Sequence, residues 1–432
     1  MNFKVLKPYP SWGHYPPTRA QSAYVLEPPV TLPNTDSSML PRGLGRSYGD
    51  SCLNESGVLL DTKELYHFFD FSEGVLEVES GVSLEEILNF AVPRGYFLPV
   101  TPGTKFVTVG GAIANDVHGK NHHVAGNFGN HVLELTLLRS NGELVTCSPS
   151  QNTELFQATI GGLGLTGLIV SAKVRLKKIN SSYIDQEVIK YKNLGEFFEL
   201  SSETGHEYTV AWIDCFASQN NLGKGLFIRG NHSTQKLALD VHPNNKKTIP
   251  LNFPSWSLNY LSVKAFNTLY YNQQLKKQSS GVVGYDPFFY PLDKINHWNR
   301  IYGKPGFFQY QCVVPKAQSH EQMQKILKLI SKSGIGSFLV VLKMFGDYKK
   351  QGLLSFPEEG ATLAMDFPNQ GEKVLGLMTA LDELVLECGG KVYPAKDARL
   401  SKQSFHQMYP EFERFKAFID PNFSSNYLRR ML

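Results

Sequence analysis

Two glycine-rich stretches hold most of the side chains in the first third of the chain that could do chemistry. The first is Arg42-Gly-Leu-Gly-Arg-Ser-Tyr-Gly-Asp50. Successive backbone N–H groups in such turns form anion-binding nests. Gly43, Leu44, Gly45, Arg46 and Ser47 would supply those groups, Arg42 and Arg46 a charge, and Ser47 a hydroxyl. A pyrophosphate suits that set, although a plain surface turn with solvated arginines is the simpler alternative. The second stretch, residues 102–131, reads PGTKFVTVGGAIANDVHGKNHHVAGNFGNH, with six glycines and four of the chain's twelve histidines. Glycine lets backbone approach a ligand closely, and each one costs about 0.5–1 kcal/mol in a regular element. A chain that accumulates them in one place is wrapping a cofactor or a metal.

The histidines His118, His122, His123 and His131 open a metal reading, since His118 and His122 stand four apart. Gly119 and its neighbours make a helix poor there. No HExxH, cysteine pair or tight carboxylate set accompanies them, so the expected metal set is none. His118 and Lys120, in Asp-Val-His-Gly-Lys, are the two expected beside chemistry. In the second half, Gln309 and Gln311 share one face of a strand by its period of two. Lys343 lies in the apolar run Val-Val-Leu-Lys-Met-Phe, and Lys396 follows the last strand in Tyr-Pro-Ala-Lys-Asp-Ala-Arg. Lysines among apolar residues either snorkel from a half-exposed sheet face or place a fixed positive charge. Such a charge beside an electron-accepting ring stabilises its reduced form.

One motif misleads. Gly162-Leu-Gly-Leu-Thr-Gly167 satisfies GxGxxG, yet a helical pattern precedes it and a strand pattern follows. A dinucleotide fingerprint needs the reverse order. These glycines therefore serve a helix-to-strand turn, with possible backbone contact to a ligand.

The elements that must carry these groups are legible in part. Residues 57–61 and 75–79 read as strands, and Ser83 with Glu86 forms a capping box for a helix ending near Ala91. Residues 132–139 and 143–147 flank Asn141-Gly142, a hairpin signal. A helix is expected over 153–160 and a strand over 168–177. A boundary falls near 180–183, and residues 217–285 show no sustained period and read as long loops. Beyond Phe307 the order strand 309–315, helix 319–333, strands 338–345 and 363–367, a helix over Val374–Val385 and strand 391–394 predicts two helices on one face of an antiparallel sheet. The 432 residues suggest two domains. A formal charge of +4 is too mild for a nucleic-acid partner. Five scattered cysteines without a CxxC fit free thiols, and the first residues lack an apolar signal core. A cytoplasmic location, with peripheral membrane contact left open, is the expectation.

Taken together, RGLGRSYGD (42–50), the 102–131 stretch, GGLGLTG (161–167), FFQYQCVVP (307–315), LSFP (354–357), MDFP (365–368), YPAKDAR (393–399) and DPNFSSNYLRR (420–430) resemble the vanillyl-alcohol oxidase/p-cresol methylhydroxylase superfamily. The likeness covers nearly the whole chain and is weakest in the middle third. It implies an α+β fold of two domains. An FAD-binding domain would comprise 1–181 and be completed by 391–432, and a substrate (cap) domain with an antiparallel sheet would span 182–390. It further implies that Arg42, residues 43–48, Gly103, Thr104, Thr108, Gly110, Gly111, Ala114, Asn115, Asp116, His118, Gly119, Asn121, Gly164, Gly167, Ile169, Tyr393, Ala395 and Lys396 hold FAD. Gln309, Gln311, Lys343, Lys120, Phe289 and Ala364 would face the substrate. Catalytic roles would fall to Lys396, Lys343, His118 and Tyr48, with the base left open among Tyr48, His118 and a neutral lysine.

Two departures from the family pattern stand out. Many members attach FAD covalently through a histidine in the first glycine loop, where this chain has Tyr48, so non-covalent FAD is implied. Related sequences carry a cysteine two residues before Asp-Phe-Pro, where this chain has Ala364. The activity implied is oxidation of a sugar secondary hydroxyl with hydride passing to flavin N5. In one branch the group oxidised is the 2′-hydroxyl of a polyprenylphosphoryl-β-D-ribose, with a separate NAD(P)H-dependent ketoreductase partner completing epimerisation to the arabinose form. Oxidation of a soluble sugar, alditol or aldonolactone is the alternative within enzymes. A non-redox nucleotide- or metal-binding protein is the alternative outside them.

Overall fold

The computed structural model describes residues 3–203, 205–242 and 247–432. Its N-terminal part forms two small sheets, beside a two-stranded one of Tyr96–Phe97 and Lys177–Lys178. In the four-stranded one the order is Phe3–Pro8, Ala20–Val25, Val58–Asp61, Met39–Arg42, antiparallel at its first pair and parallel after it. The second is antiparallel, in the order Phe68–Ser72, Val75–Glu79, Leu168–Arg175, Val132–Leu138, Leu144–Cys147. The capping box is present: the Ser83 hydroxyl accepts from Glu86 N while the Glu86 carboxylate accepts from Ser83 N, which starts the Leu84–Ala91 helix. The hairpin at Asn141-Gly142 is also present, with Gly142 at φ 85°.

From Tyr183 onward the chain builds one eight-stranded antiparallel sheet. Its second half is the expected β-α-β-β-α-β unit: Phe307–Pro315, helix Ser319–Ser333, Val340–Phe345, Gly360–Pro368, helix Glu372–Glu387 and Lys391–Val392. Its first half runs Tyr183–Tyr191, helix Leu194–Ser202, Tyr208–Ile213, Gly225–His232, helix Tyr260–Gln273 and Gln278–Gly284. Both halves follow the same strand order, second-third-first-fourth, and join where Tyr208–Ile213 meets Val340–Phe345. The sheet is thus a doubled unit, and its first copy includes most of the stretch expected to be loop. The last strand, Lys391–Val392, pairs with Cys312 and Val313, so the sheet ends two residues past the boundary expected at 390.

Strand alternation divides the chemistry from the core. Phe308, Tyr310, Cys312 and Val314 point into the main apolar core with Met323, Ile326, Val374 and Leu381 of the covering helices. Gln309 and Gln311 point the other way, as do Lys343 between Leu342 and Met344 and Ala364 between Leu363 and Met365. After the sheet the chain returns to the first third. Asp420 carboxylate accepts from Ser140 N and pairs with Arg139, Met39 N donates to Asn422 O, and Arg430 spans Asp50 and Asp397.

Candidate active site

One cavity of about 440 Å³ runs between the glycine loops and the inner face of the large sheet. Its loop side is built for close approach. Gly45 adopts φ 61°, a conformation that suits glycine. A Cβ on Gly43 would stand 2.3 Å from Thr108 Oγ1, so the two glycine stretches meet backbone to side chain. Thr108 also caps the short Val109–Ala114 helix by accepting from Gly111 N. Among the described residues, the backbone N–H groups of 43–47 make no hydrogen bond within the protein. A row of unpartnered donors in a glycine turn is the chemistry a pyrophosphate requires.

Most residues expected around FAD line this cavity: 42–48, Gly103, Thr104, Thr108, Gly110, Gly111, Ala114, Asn115, His118, Gly119, Gly164, Gly167, Ile169, Tyr393, Ala395 and Lys396. Two do not. Asp116 is fully buried, and its carboxylate accepts from Asn127 Nδ2 (2.9 Å), Gly129 N (2.9 Å) and Ser355 Oγ (2.5 Å). It folds the glycine stretch back on itself. Asn121 donates to Pro99 O at 2.8 Å and is likewise a scaffold residue. Arg42 needs a partial correction: it lines the cavity, but its guanidinium donates to the carbonyls of Tyr9, Pro10 and Cys52. It tethers the N-terminal segment and leaves anion binding to the loop backbone. Arg46 stacks over Trp12, with its guanidinium carbon 4.3 Å from the ring centre.

The metal alternative meets a geometric objection. His118 Nε2 lies 2.9 Å from Gln311 Nε2, while His122 Nδ1 accepts from Gly346 N. His123 bonds His206 O and His131 bonds Ala125 O. The four rings are spent on four different partners, and no described group of three or more His, Cys, Asp and Glu converges as a metal site.

Ionisable groups stand on both sides of the cavity. Gln309, Gln311, Lys343, Lys120, Phe289 and Ala364 all line it, as expected. Lys343 Nζ donates to Gly119 O at 3.3 Å, and burial lowers its ammonium pKa to about 8. Lys120 bonds Phe288 O and lies 4.6 Å from the centre of the Phe288 ring. Burial, then Lys343, brings Lys120 to about 7. Lys396 Nζ sits 3.9 Å from the centre of the Tyr48 ring and is lowered to about 7, mainly by burial and further by Lys343, against the pull of Asp366. The Tyr48 phenol is pushed well above its ordinary value by burial and then by Asp366. His118 is held well below its ordinary value, by burial first and then by Lys343, His122 and Lys396. Gln311 Nε2 also donates to Thr362 Oγ1, whose hydroxyl donates to Cys312 O. That orients the amide to donate to His118 Nε2, leaving Nδ1 as the buried, unpartnered nitrogen.

Asp366 was not among the expected site residues. It is fully buried, paired in register with Gln309, and accepts from Gln309 Nε2 (2.6 Å) and Tyr302 OH (3.2 Å). Burial raises its carboxyl to about 7. The signal was present: in Ala364-Met-Asp366 the acid shares a strand face with Ala364. Asp293 was also missed. Its carboxylate accepts from Lys105 N, and burial raises it to about 6. The aromatic wall of Trp212, Tyr270 and Trp298 comes from segments without readable periodicity.

A glycine cradle for a pyrophosphate, closed by a sheet that presents amides and lysines, defines an FAD-dependent oxidoreductase. Residues 32–148 match the model of a family described as an FAD binding domain. The decaprenylphosphoryl-β-D-ribose oxidase of Mycolicibacterium smegmatis is 36% identical, over 97% of this chain and 96% of that protein. An uncharacterized protein in the mprA 5′ region of Streptomyces coelicolor is 28% identical over 81% of this chain and all of its own length. A D-arabinono-1,4-lactone oxidase of Yarrowia lipolytica is 28% identical over 31% of this chain and 25% of its own. The chain belongs to the decaprenylphosphoryl-β-D-ribose oxidase family of FAD-dependent oxidoreductases.

Proposed function

We propose that this enzyme oxidises the 2′-hydroxyl of a polyprenylphosphoryl-β-D-ribose to the 2′-ketone. FAD, when bound, supplies the acceptor for the hydride that leaves the sugar carbon. The residues that would hold it are the 43–47 backbone, Thr108, Gly110, Gly111 and Ile169 on the loop side, with Tyr393 and Ala395 returning from the sheet.

The observation that carries the proposal is the division of the cavity. Three lysines and two glutamines stand against an apolar wall that includes Trp212, Leu292, Trp298 and Leu339. Such a cavity suits a ligand that is anionic and hydroxylated at one end and hydrocarbon at the other. Lys343 and Lys120 hold the phosphate, while Gln309 and Gln311 orient the ribose hydroxyls. Lys396 Nζ, uncharged in about half of the molecules at neutral pH, takes the hydroxyl proton. The Tyr48 phenol keeps its own proton at neutral pH, and His118 Nε2 is occupied by Gln311, which leaves the lysine as the base. Lys120, Lys343, Gln309 and the ring of Tyr48 surround the sugar and exclude water. A separate NAD(P)H-dependent ketoreductase then returns the ketone to an alcohol of the opposite configuration. The test is anaerobic bleaching of the flavin with prenylphosphoryl ribose, prenylphosphoryl arabinose, free ribose and an aldonolactone. Bleaching by the prenylphosphoryl ribose and not by free sugars or lactone is expected. Faster bleaching by the lactone would overturn the proposal.

A further inference from the structure

The two halves of the large sheet share a topology, but their second helices differ in burial. Glu372–Glu387 buries Val374, Leu377, Met378, Leu381, Asp382 and Val385. Its counterpart Tyr260–Gln273 buries only Val263 and Asn267. Asn267 anchors it, donating to Asp214 Oδ1 and Ser337 O. The opposite side is apolar and in water. Leu261, Ala265 and Leu269 follow i, i+4, i+8 on one helical face. Leu261 is 74% exposed and Leu269 73%. Before the helix, Leu251 is 76% and Trp256 75% exposed, and after it Leu275 is 91% exposed. Large contiguous apolar patches on a soluble surface mark interaction sites.

Charge identifies the occupant. Between Asp240 and Asp286 the sequence contains no Asp or Glu, while Lys246, Lys247, Lys264, Lys276 and Lys277 all fall there. The described lysines of that set, Lys247, Lys264, Lys276 and Lys277, are exposed. Exposed leucines and a tryptophan interspersed with lysines, in a stretch without a carboxylate of its own, form the pattern of an interfacial element on an anionic lipid surface. A second copy suits it poorly, because a two-fold interface through this patch would set lysines against lysines.

The patch is continuous with the site. Phe266, 44% exposed, stacks on Tyr270 with ring centres 5.8 Å apart, and Tyr270 meets Trp212 at 4.7 Å. Both Tyr270 and Trp212 line the cavity. Leu258, just before the helix, packs in the cluster of Trp298, Leu292 and Leu339, three more lining residues. We propose that the Tyr260–Gln273 helix and the segment 251–258 before it dock the enzyme on an anionic bilayer, with the cavity mouth facing the membrane. The docking itself does not depend on the ribose assignment, since vesicles without any sugar lipid test it.

The experiment is co-sedimentation of the FAD-loaded protein with phosphatidylcholine vesicles containing or lacking 30 mol% phosphatidylglycerol (roughly the anionic content of a charged membrane). The variant is Trp256→Ser/Leu261→Ser/Leu269→Ser, none of whose positions lines the cavity. Wild type pellets with the anionic vesicles, releases in high salt, and shows a Trp256 emission shift to the blue. The variant retains its flavin spectrum and thermal midpoint but loses roughly tenfold or more in vesicle affinity. Wild type that stays in the supernatant, or a variant that pellets equally, overturns the docking surface. A wild-type dimer in solution that the variant converts to monomer also overturns it, in favour of self-association.

Discussion

Replacing Lys396 by alanine tests the chemistry most directly. An exposed lysine with a pKa of 10.5 is neutral in roughly one molecule in three thousand at pH 7. Burial beside the Tyr48 ring lowers Lys396 to about 7, so about half of the molecules present a free amine at that pH. That depression is worth roughly 5 kcal/mol against the ammonium and raises the concentration of usable base about a thousandfold. The alanine variant should bind FAD normally and lose on the order of 10²–10⁴ in the rate of anaerobic flavin bleaching, the range of a general base. In wild type, kcat/KM should rise through about pH 7 as Lys396 loses its proton. It should fall as Lys120, near pH 7, and then Lys343, near pH 8, lose the charges proposed to hold the phosphate, so that the profile is a narrow bell. The rising limb should vanish in Lys396→Ala, and added small primary amines should restore part of the rate. Bleaching at the wild-type rate, or an unchanged limb near pH 7, would refute the assignment.

Lys343→Gln should move the rising limb to higher pH and raise KM, since Lys343 is one of the groups that lower Lys396; a limb that stays in place breaks the coupling. Acid precipitation should leave the yellow flavin in the supernatant, because the first glycine loop carries Tyr48 and no histidine; a yellow pellet would show a covalent bond. Asp116→Ala should lower stability by about 3–5 kcal/mol, leaving the donors of Asn127, Gly129 and Ser355 without a buried acceptor. A thermal midpoint within a degree of wild type would show that these bonds do not hold the loop. Ala364→Cys sets a thiol on the cavity wall in register with Gln311. It should become alkylated by maleimide and be protected by substrate, read by mass spectrometry. Equal labelling with and without substrate would place residue 364 away from the sugar.

The legible parts of this protein are those where local pattern and tertiary role agree. Ser83 and Glu86 announce a capping box, and Met323, Ile326, Leu327 and Ile330 announce a helix, because the same residues that favour the element also bury it. Gln309 and Gln311 were legible as residues of one face of their strand, and that face lines the cavity, because polar groups two apart in an apolar strand have one face to share. The Tyr260–Gln273 helix escaped because its apolar residues lie on the exposed side and an asparagine anchors the buried side, which erases the usual period. Asp116 and Asn121 were misassigned for the opposite reason. A polar residue in a glycine-rich loop looks the same in sequence whether it faces a ligand or ties the loop together. Only the partners, Asn127, Gly129 and Ser355 for one and Pro99 for the other, separate the two roles.

The placement of Lys343 gives the cluster of lysines its logic. It depresses Lys120, Lys396 and His118, and its own shift comes from burial alone. Three ammonium groups in one dry cavity repel, so the free site settles by shedding protons. An incoming phosphate changes that balance unequally. It favours the charged form of the amines that touch it, and its own negative charge offsets theirs at an amine farther away. With the phosphate on Lys343 and Lys120, as proposed, Lys396 would face cations largely neutralised by their anion, and its lowered pKa would rest on burial, the largest cause. Asp366 is the carboxyl that favours the Lys396 ammonium, and burial raises its own pKa to about 7. Burial, which persists when substrate fills the cavity, would thus keep the proposed base available.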